Sequence, residues 1–378
     1  MNKKEIFTAE SVTCGHPDKF CDLVSDMVLD ECLKTDPDAR VACETYATKG
    51  LIVVGGEITT TAHPNYKAIV QAAGAKVGYD LENTKLIVAV HEQSPDIKDA
   101  VEGINDNGEQ GAGDQGVMVG YACDDTLDFL PLEYAYARKI TDRLEYLYKS
   151  GGIKGLGSDG KSQVSAEFLS GNFERFTNIV ISVQHDENKD IDTLRTEIKK
   201  KVIDYVFSDF DLSQTEILIN PSGRFVLGGI DADTGLTGRK IVADAYGPRV
   251  QVGGGAFSGK DPSKVDRSGA YYARYIARNI VEGGIADKCL VQIAYAIGKA
   301  EPLAVNVETF GTGKADDGTI RNAVQTVFDF RPSGIISALD LKNPIYSALS
   351  SGGHFGKDGY PWENSDKVCE LRKAVFGE

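Results

Sequence analysis

The chain has 378 residues, 42% hydrophobic and 26% charged, the composition of an ordinary globular protein long enough for two or three domains. Forty-one Lys and Arg against 56 Asp and Glu leave a net charge of −15, which argues against broad electrostatic binding to nucleic acid or to an anionic membrane. The same field repels phosphate esters, so a nucleotide substrate would demand a local cluster of cations or recruited metal ions.

The opening MNKKEIFTAE carries no apolar run of signal-peptide length, and no segment has the length to cross a bilayer, so a cytoplasmic protein is expected. Seven cysteines, at positions 14, 21, 32, 43, 123, 289 and 369, form no C-x-x-C pair and point to buried free thiols over zinc or disulfides. EIFTAES reads as a strand, and Pro17 opens an amphipathic helix with Phe20, Leu23, Val24, Met27, Val28 and Cys32 at three- and four-residue spacing. ARVACETYAT and LIVVGGEITT are strands about a Lys-Gly turn, followed by a helix near 64–77 and the strand TKLIVAV. The order is strand, helix, strand, strand, helix, strand.

That order recurs in QGVMVGYAC, a helix near 131–149, KSQVSAEF, FERFTNIVISVQ, a helix near 190–207 and TEILIN. A third round takes RKIVADAYG as its first strand, then a helix near 266–282, KCLVQIAYAIG, PLAVNVETFG, a helix from about Thr319 and a further helix in RPSGIISALDL. The expected architecture is α+β, with three sheet-plus-helix units. Between the first two lies a polar, glycine-bearing stretch from 92 to 114, longer than the ~12–15 residues usual for a passive loop, and therefore either a linker or a mobile cover.

Three motifs carry chemistry. GAGDQG at 111–116 matches G-x-G-x-x-G, but a polar loop precedes it and a strand follows, the reverse of a dinucleotide fold. GGGAFSGKD at 253–261 fits a P-loop through Gly259 and Lys260, then puts Asp261 where the magnesium-binding hydroxyl belongs, with the next helix several residues too late. Its glycines and lysine still suit a close approach to an anion. GHPDK at 15–19 sets His16, Asp18 and Lys19 at one helix N-terminus, where an anion would meet the helix dipole, His16 and Lys19, with Asp18 free to hold Mg2+.

ESVTCGHPDK, ACETYATKG with GGEITT, GAGDQG, INPSGRFVLGG, GLTGRK, GGGAFSGKDPSKVDRSGAYYARYIARNI and the late GHFG together resemble the S-adenosylmethionine synthetase (methionine adenosyltransferase) family, over almost the whole chain. Cys14 departs from the acidic residue usual in bacterial members. The resemblance implies three quasi-threefold-related domains, over 1–98, 112–228 and 229–378, each a mixed sheet with helices, and a gating loop over 93–114. It implies homodimers with active sites between subunits, pairing into homotetramers. The implied reaction joins ATP and L-methionine to give S-adenosylmethionine, pyrophosphate and phosphate, with two Mg2+ per site and K+ as activator.

By the same resemblance, His16 donates to the departing oxygen of the triphosphate. Lys161, Arg239, Lys240 and Lys260 neutralise the phosphates, and Lys264 reaches phosphate or methionine. Asp159, Gly160, Arg224, Phe225, Asp233 and Ala256 complete the ATP site. Glu57 meets the methionine ammonium, Gln93 its carboxylate, and Asp114 and Asp233 the ribose or amino acid. Asp18 and Asp266 hold Mg2+ and Glu44 holds K+. A thioether has no proton to lose, so this chemistry asks for alignment and for charge stabilisation in the transition state, without a general base. The rival readings are a P-loop kinase or ATPase acting through Lys260, and a noncatalytic nucleotide-binding scaffold.

Overall fold

The computed structural model describes residues 3–94 and 109–377. Its strands form three sheets, and the chain threads them cyclically. β1 (Lys4–Val12) is followed by α1 (Pro17–Thr35), β2 (Arg40–Thr48), β3 (Leu51–Thr59), α2 (Tyr66–Val77) and β4 (Lys85–His91). β2 and β3 pair antiparallel with Thr48 opposite Leu51, leaving the Lys49-Gly50 turn in which Gly50 has φ +72°. β4 then returns parallel to β3. β1, however, pairs with no strand of this group.

Its partner is β6 (Leu156–Leu169), which forms a hairpin with β7 (Asn172–His185), while β8 (Glu216–Ile219) runs parallel to β7. The strand that opens the second round, β5 (Gly116–Cys123), leaves in turn to pair with β10 (Lys288–Tyr295), whose other neighbour is β11 (Ala304–Glu308). The circle closes with β9 (Gly235–Leu236), which pairs with β2. The orders are β4-β3-β2-β9, β1-β6-β7-β8 and β11-β10-β5. Each sequence unit thus gives its first strand to the next sheet round the circle. A cut at 98, 112 or 228 would leave each opening strand in another unit's sheet.

A long helix covers each sheet: α1 lies on β2 and β9, α3 (Leu132–Lys149) on β1 and β6, and α6 (Val265–Glu282) on β5 and β10. The other α-helices among the described residues include α4 (Ile191–Ile198), α5 (Ile241–Asp244), α7 (Asp317–Val327), α8 (Pro332–Ala338) and α9 (Val368–Phe376). The helix expected near 190–207 is α4, continued by a π-turn over Lys199–Ile203 and a last turn over Asp204–Val206. RKIVADAYG is not a strand. Its residues 243–247 are buried in succession, with no two-residue alternation, and Asp244 N–H donates to Lys240 O at 2.8 Å to close the α5 turn. The third opening strand is instead the two-residue β9.

One hydrophobic core joins the first and third sheets and a second fills the central one. The sole tryptophan, Trp362, is fully buried and stacks on Tyr271 of α6 at 4.0 Å between ring centroids. All seven cysteines are unpaired and all but Cys369 are buried. Among the described residues no helix is long and apolar enough to cross a membrane.

Gly120 of β5 lets the strand lie directly on α6, where a Cβ would overlap the backbone of Ala273 and Arg274. Because backbone cannot swing aside as a side chain does, Gly120→Ala is expected to cost about 1–3 kcal/mol of stability, read as a lower urea midpoint at unchanged slope. An unchanged midpoint would show that the strand and helix have room to part.

Candidate active site

The exchanged strands decide what meets at the start of α1. Gly15 passes so close to Ser158 that a Cβ would strike its carbonyl, and Gly235 of β9 lies as tightly against Pro17 O. These two contacts bring β6 from one side and GLTGRK from the other onto GHPDK. His16 is the N-cap, in extended geometry (φ −70°, ψ 138°), and Pro17 takes the first helical position, where its missing N–H costs nothing. The Asp18 N–H donates to His16 Nδ1 at 3.1 Å. With Nδ1 accepting, the neutral ring carries its proton on Nε2.

Burial pushes the His16 pKa down to about 4, helped by the Lys240 and Lys161 ammonium groups and opposed by Asp18 and Asp233. At neutral pH the ring is therefore an uncharged donor among cations. Asp18 accepts from Leu236 N–H at 3.0 Å and is paired with Lys240, and Arg239 Nε lies 3.6 Å away. Burial alone would raise its pKa, but the Lys240 bond and the Leu236 N–H hold it below the usual carboxylate range. Lys161, opposite Val12 in the β1–β6 ladder, is half exposed and pairs with Glu10 at 2.5 Å. Beside it Asp159 accepts from Gly229 N–H at 2.8 Å, and burial lifts its pKa to about 6 against that bond. Gly160 O receives Thr13 N–H at 2.9 Å, and Asp233 Oδ1 accepts from Thr234 N–H at 2.8 Å.

The segment holding Phe225 is tied to this wall by residues that the sequence did not single out. His185 and Phe225 exchange backbone and ring bonds at 2.9 and 3.1 Å, and Gln184 donates to Val226 O at 3.1 Å. Tyr79 donates to Gly15 O at 2.5 Å and its ring stands against Gly229. Arg224 points outward, in an exposed pair with Glu187 at 2.6 Å.

A second group gathers around Lys260, which bridges to Ala42 of β2 and pairs with Asp266 at 2.6 Å. Ala42 stands opposite Glu57 in the β2–β3 ladder. Burial raises the Glu44 pKa, opposed by Lys260 and aided by Glu57. Burial likewise raises that of Asp266, with Lys260 opposing and Asp114 adding to the rise. GAGDQG reaches this group through Gly113, whose N–H donates to Ser263 O at 3.0 Å. Ala256 packs where Gly238 leaves no room for a side chain, so GGGAFSGKD touches GLTGRK. Gln93 donates its N–H to Thr59 Oγ1 at 3.0 Å and has a buried amide oxygen without a partner among the described residues. Of the expected gating loop over 93–114, residues 95–108 lie outside those described.

Two expectations change. Lys19 does not stand with His16 to meet an anion: it is 2% exposed and bonds to Asp22 at 2.9 Å and Asp244 at 2.6 Å. Lys264 turns inward to Asp261 instead of joining the other cations, and Asp261 also accepts from Val41 and Ser263 N–H at 2.7 and 2.9 Å. The P-loop reading fails, since α6 begins at Val265, beyond Lys260, and Asp261 is committed to the loop's own shape. Among the described residues no three His, Cys, Asp or Glu side chains gather to hold a metal ion. Asp18 and Asp266 do suit Mg2+ in its usual nucleotide setting, where one or two carboxylates suffice and phosphate and water supply the rest. Each already pairs with a cation, the Lys240 or Lys260 ammonium.

A neutral imidazole donor, ammonium and guanidinium groups and single carboxylates at a helix N-terminus are the groups that an enzyme handling a polyphosphate would need. Family models carry this further. The N-terminal, central and C-terminal domains of S-adenosylmethionine synthetase match residues 4–95, 109–225 and 227–364. The chain is also 47% identical over 390 residues to an S-adenosylmethionine synthase of a Nocardioides species, covering 98% of each. The chain belongs to the S-adenosylmethionine synthetase family.

The His16 ring is expected to titrate near pH 4 and to hold its proton on Nε2 at pH 7, both readable from nitrogen shifts in 15N-labelled protein. Because the folded pKa lies below the ordinary 6.5, the unfolded chain takes up the proton first, so His16 withdraws stability as pH falls from about 6.5 to about 4. A ring titrating above 6 would remove the basis for a neutral donor.

Proposed function

We propose that the two groups are halves of one site, and that a second copy of the chain brings the His16 half of one protomer to the Lys260 half of the other. The activity is the synthesis of S-adenosylmethionine from ATP and L-methionine. The thioether sulfur attacks C5′, the C5′–O bond breaks, and its electron pair leaves with the triphosphate. The sulfur becomes a sulfonium, and no proton moves. Charge grows on the departing oxygen, where His16 Nε2–H donates and Lys161, Arg239, Lys240 and Lys260 neutralise the chain of phosphates.

Asp159, Gly160, Phe225 and Ala256 form the nucleotide wall, with Arg224 at its rim. Glu57 takes the methionine ammonium, Gln93 the carboxylate, and Asp114 and Asp233 the ribose or amino acid, their negative charge favouring the sulfonium. Lys264 acts through Asp261 on the shape of the loop. Asp18 and Asp266 would hold two Mg2+, and Glu44 a K+. When bound, Mg2+ supplies charge neutralisation along the triphosphate. The same cations suit the second step, in which water cleaves the triphosphate to pyrophosphate and phosphate. Homodimers pairing into homotetramers and a cytoplasmic location complete the reading, the latter supported by seven unpaired thiols.

The observation that carries this reading is His16, uncharged under the influence of burial and of Lys240 and Lys161, with Nδ1 taken by the Asp18 N–H and so its proton on Nε2. With ATP, methionine, Mg2+ and K+, the purified protein is expected to form the sulfonium, pyrophosphate and phosphate, with no ADP. ADP without a methionine requirement would restore a kinase or ATPase. His16→Ala is expected to slow S-adenosylmethionine formation by about 10²–10³, the scale of one lost transition-state donor, while hydrolysis of added triphosphate falls much less. Equal losses in both steps would place His16 elsewhere in the mechanism.

A further inference from the structure

The loop that presents Lys260 is held from behind by a buried ion pair to which the reaction assigns no part. Gly259 has φ +81°, its N–H donates to Asp26 Oδ1 at 2.8 Å, and its carbonyl accepts from Cys43 N–H at 2.8 Å. The next carbonyl, that of Lys260, accepts from Arg267 Nη1 at 3.2 Å. Arg267 pairs with Asp26 through two bonds of 2.7 and 2.9 Å, and its Nε donates to Tyr271 Oη at 2.9 Å. Both members are at most 1% exposed. The Lys260 side chain leaves this clamped peptide toward Asp266.

One helical turn earlier, Asp22 accepts from Gly238 N–H at 2.8 Å, next to Arg239 and Lys240, with Lys19 as its counter-ion. A single rigid helix therefore grips the backbone beside the cations of both groups. A buried ion pair is weak evidence of stabilisation, because well-packed apolar residues in its place are often as good. What Asp26 and Arg267 add is a directed bond to each of two successive residues of the loop, one at the Gly259 N–H and one at the Lys260 carbonyl.

We propose that Asp26 and Arg267 are positioning residues for Lys260, fixing the line along which its ammonium meets the triphosphate. This rests on the phosphate-neutralising role of Lys260 given above. Arg267→Lys leaves a cation for Asp26 but cannot keep the paired bonds together with those to Lys260 O and Tyr271. The test measures kcat/KM for ATP in S-adenosylmethionine formation for R267K, K260A and the double variant, with thermal midpoints taken alongside.

Each single change is expected to cost about tenfold or more, and the double variant to lie within about twofold of K260A, since a misplaced group that is already absent loses nothing further. A merely structural role would lower the midpoint and multiply with the K260A loss, and that result overturns the proposal. Wild-type kcat/KM in R267K overturns it too. If R267K yields no folded protein, Tyr271→Phe, which removes the Arg267 Nε partner and spares the Asp26 pair, is put through the same cycle: losses that merge with that of K260A support the proposal, and losses that multiply with it, or none at all, overturn it. Full activity in K260A defeats the role of Lys260 itself and the proposal with it, whereas multiplying losses beside an impaired K260A defeat the proposal alone.

Discussion

Four carboxylates in one row of α1 organise this molecule. Asp18, Asp22, Asp26 and Asp30 follow one another at four-residue spacing, and each accepts a backbone N–H from a remote segment: Leu236, Gly238, Gly259, and Tyr346 with Ser347. A carboxylate taken out of water is costly unless its oxygens are satisfied, and bonds from N–H to a charged acceptor are among the stronger ones. The row is thus stable only with those segments in place, and the segments are placed by the row. Strand β9 and the loops carrying Arg239, Lys240 and Lys260 all take their positions from it.

The electrostatics of the proposed phosphate-binding groups fit an overall charge of −15. In the chain alone every proposed phosphate-binding cation has an acidic or carbonyl neighbour: Lys161 with Glu10, Lys240 and Arg239 with Asp18, Lys260 with Asp266. These pairs keep the cations from repelling one another. Under the proposed reading, binding a triphosphate would exchange one set of anionic partners for another, and divalent ions would relieve the carboxylates left behind. In that reading His16 would stay outside the exchange because its ring is uncharged, and would donate to a growing charge without first being stripped of a counter-ion.

Much of this is legible in the sequence, and the failures have physical causes. Helices such as α1, α3 and α6 announce themselves by local periodicity, and the motifs mark His16, Lys240 and Lys260. Partner choice between strands has no local signal: nothing in EIFTAES says that it pairs with residues 162–168 and not with its own neighbours. β9, two residues long, is below any pattern. Lys19 misleads because a helix N-terminus attracts anions in general, while its burial depends on Asp244, more than two hundred residues later. The acidic row itself leaves a trace in FCDLVSDMVLDEC, where aspartates interrupt apolar residues every fourth position. On an amphipathic helix such residues pass for the wet face, and only the fold shows that this face is covered.

The cyclic exchange of strands bears on how the polypeptide reaches its native state during synthesis. The outer edge of β2 stays open until residue 235 has emerged from the ribosome, and β5 waits as long again for β10. Only the first sheet must wait for a later strand, but none of the three is completed by its own unit's residues alone, so folding is governed by contacts far apart along the chain, the slow and aggregation-exposed regime. What such lacing secures in return is that local fraying cannot detach one lobe, because every lobe is stitched into its neighbour by a strand of backbone hydrogen bonds.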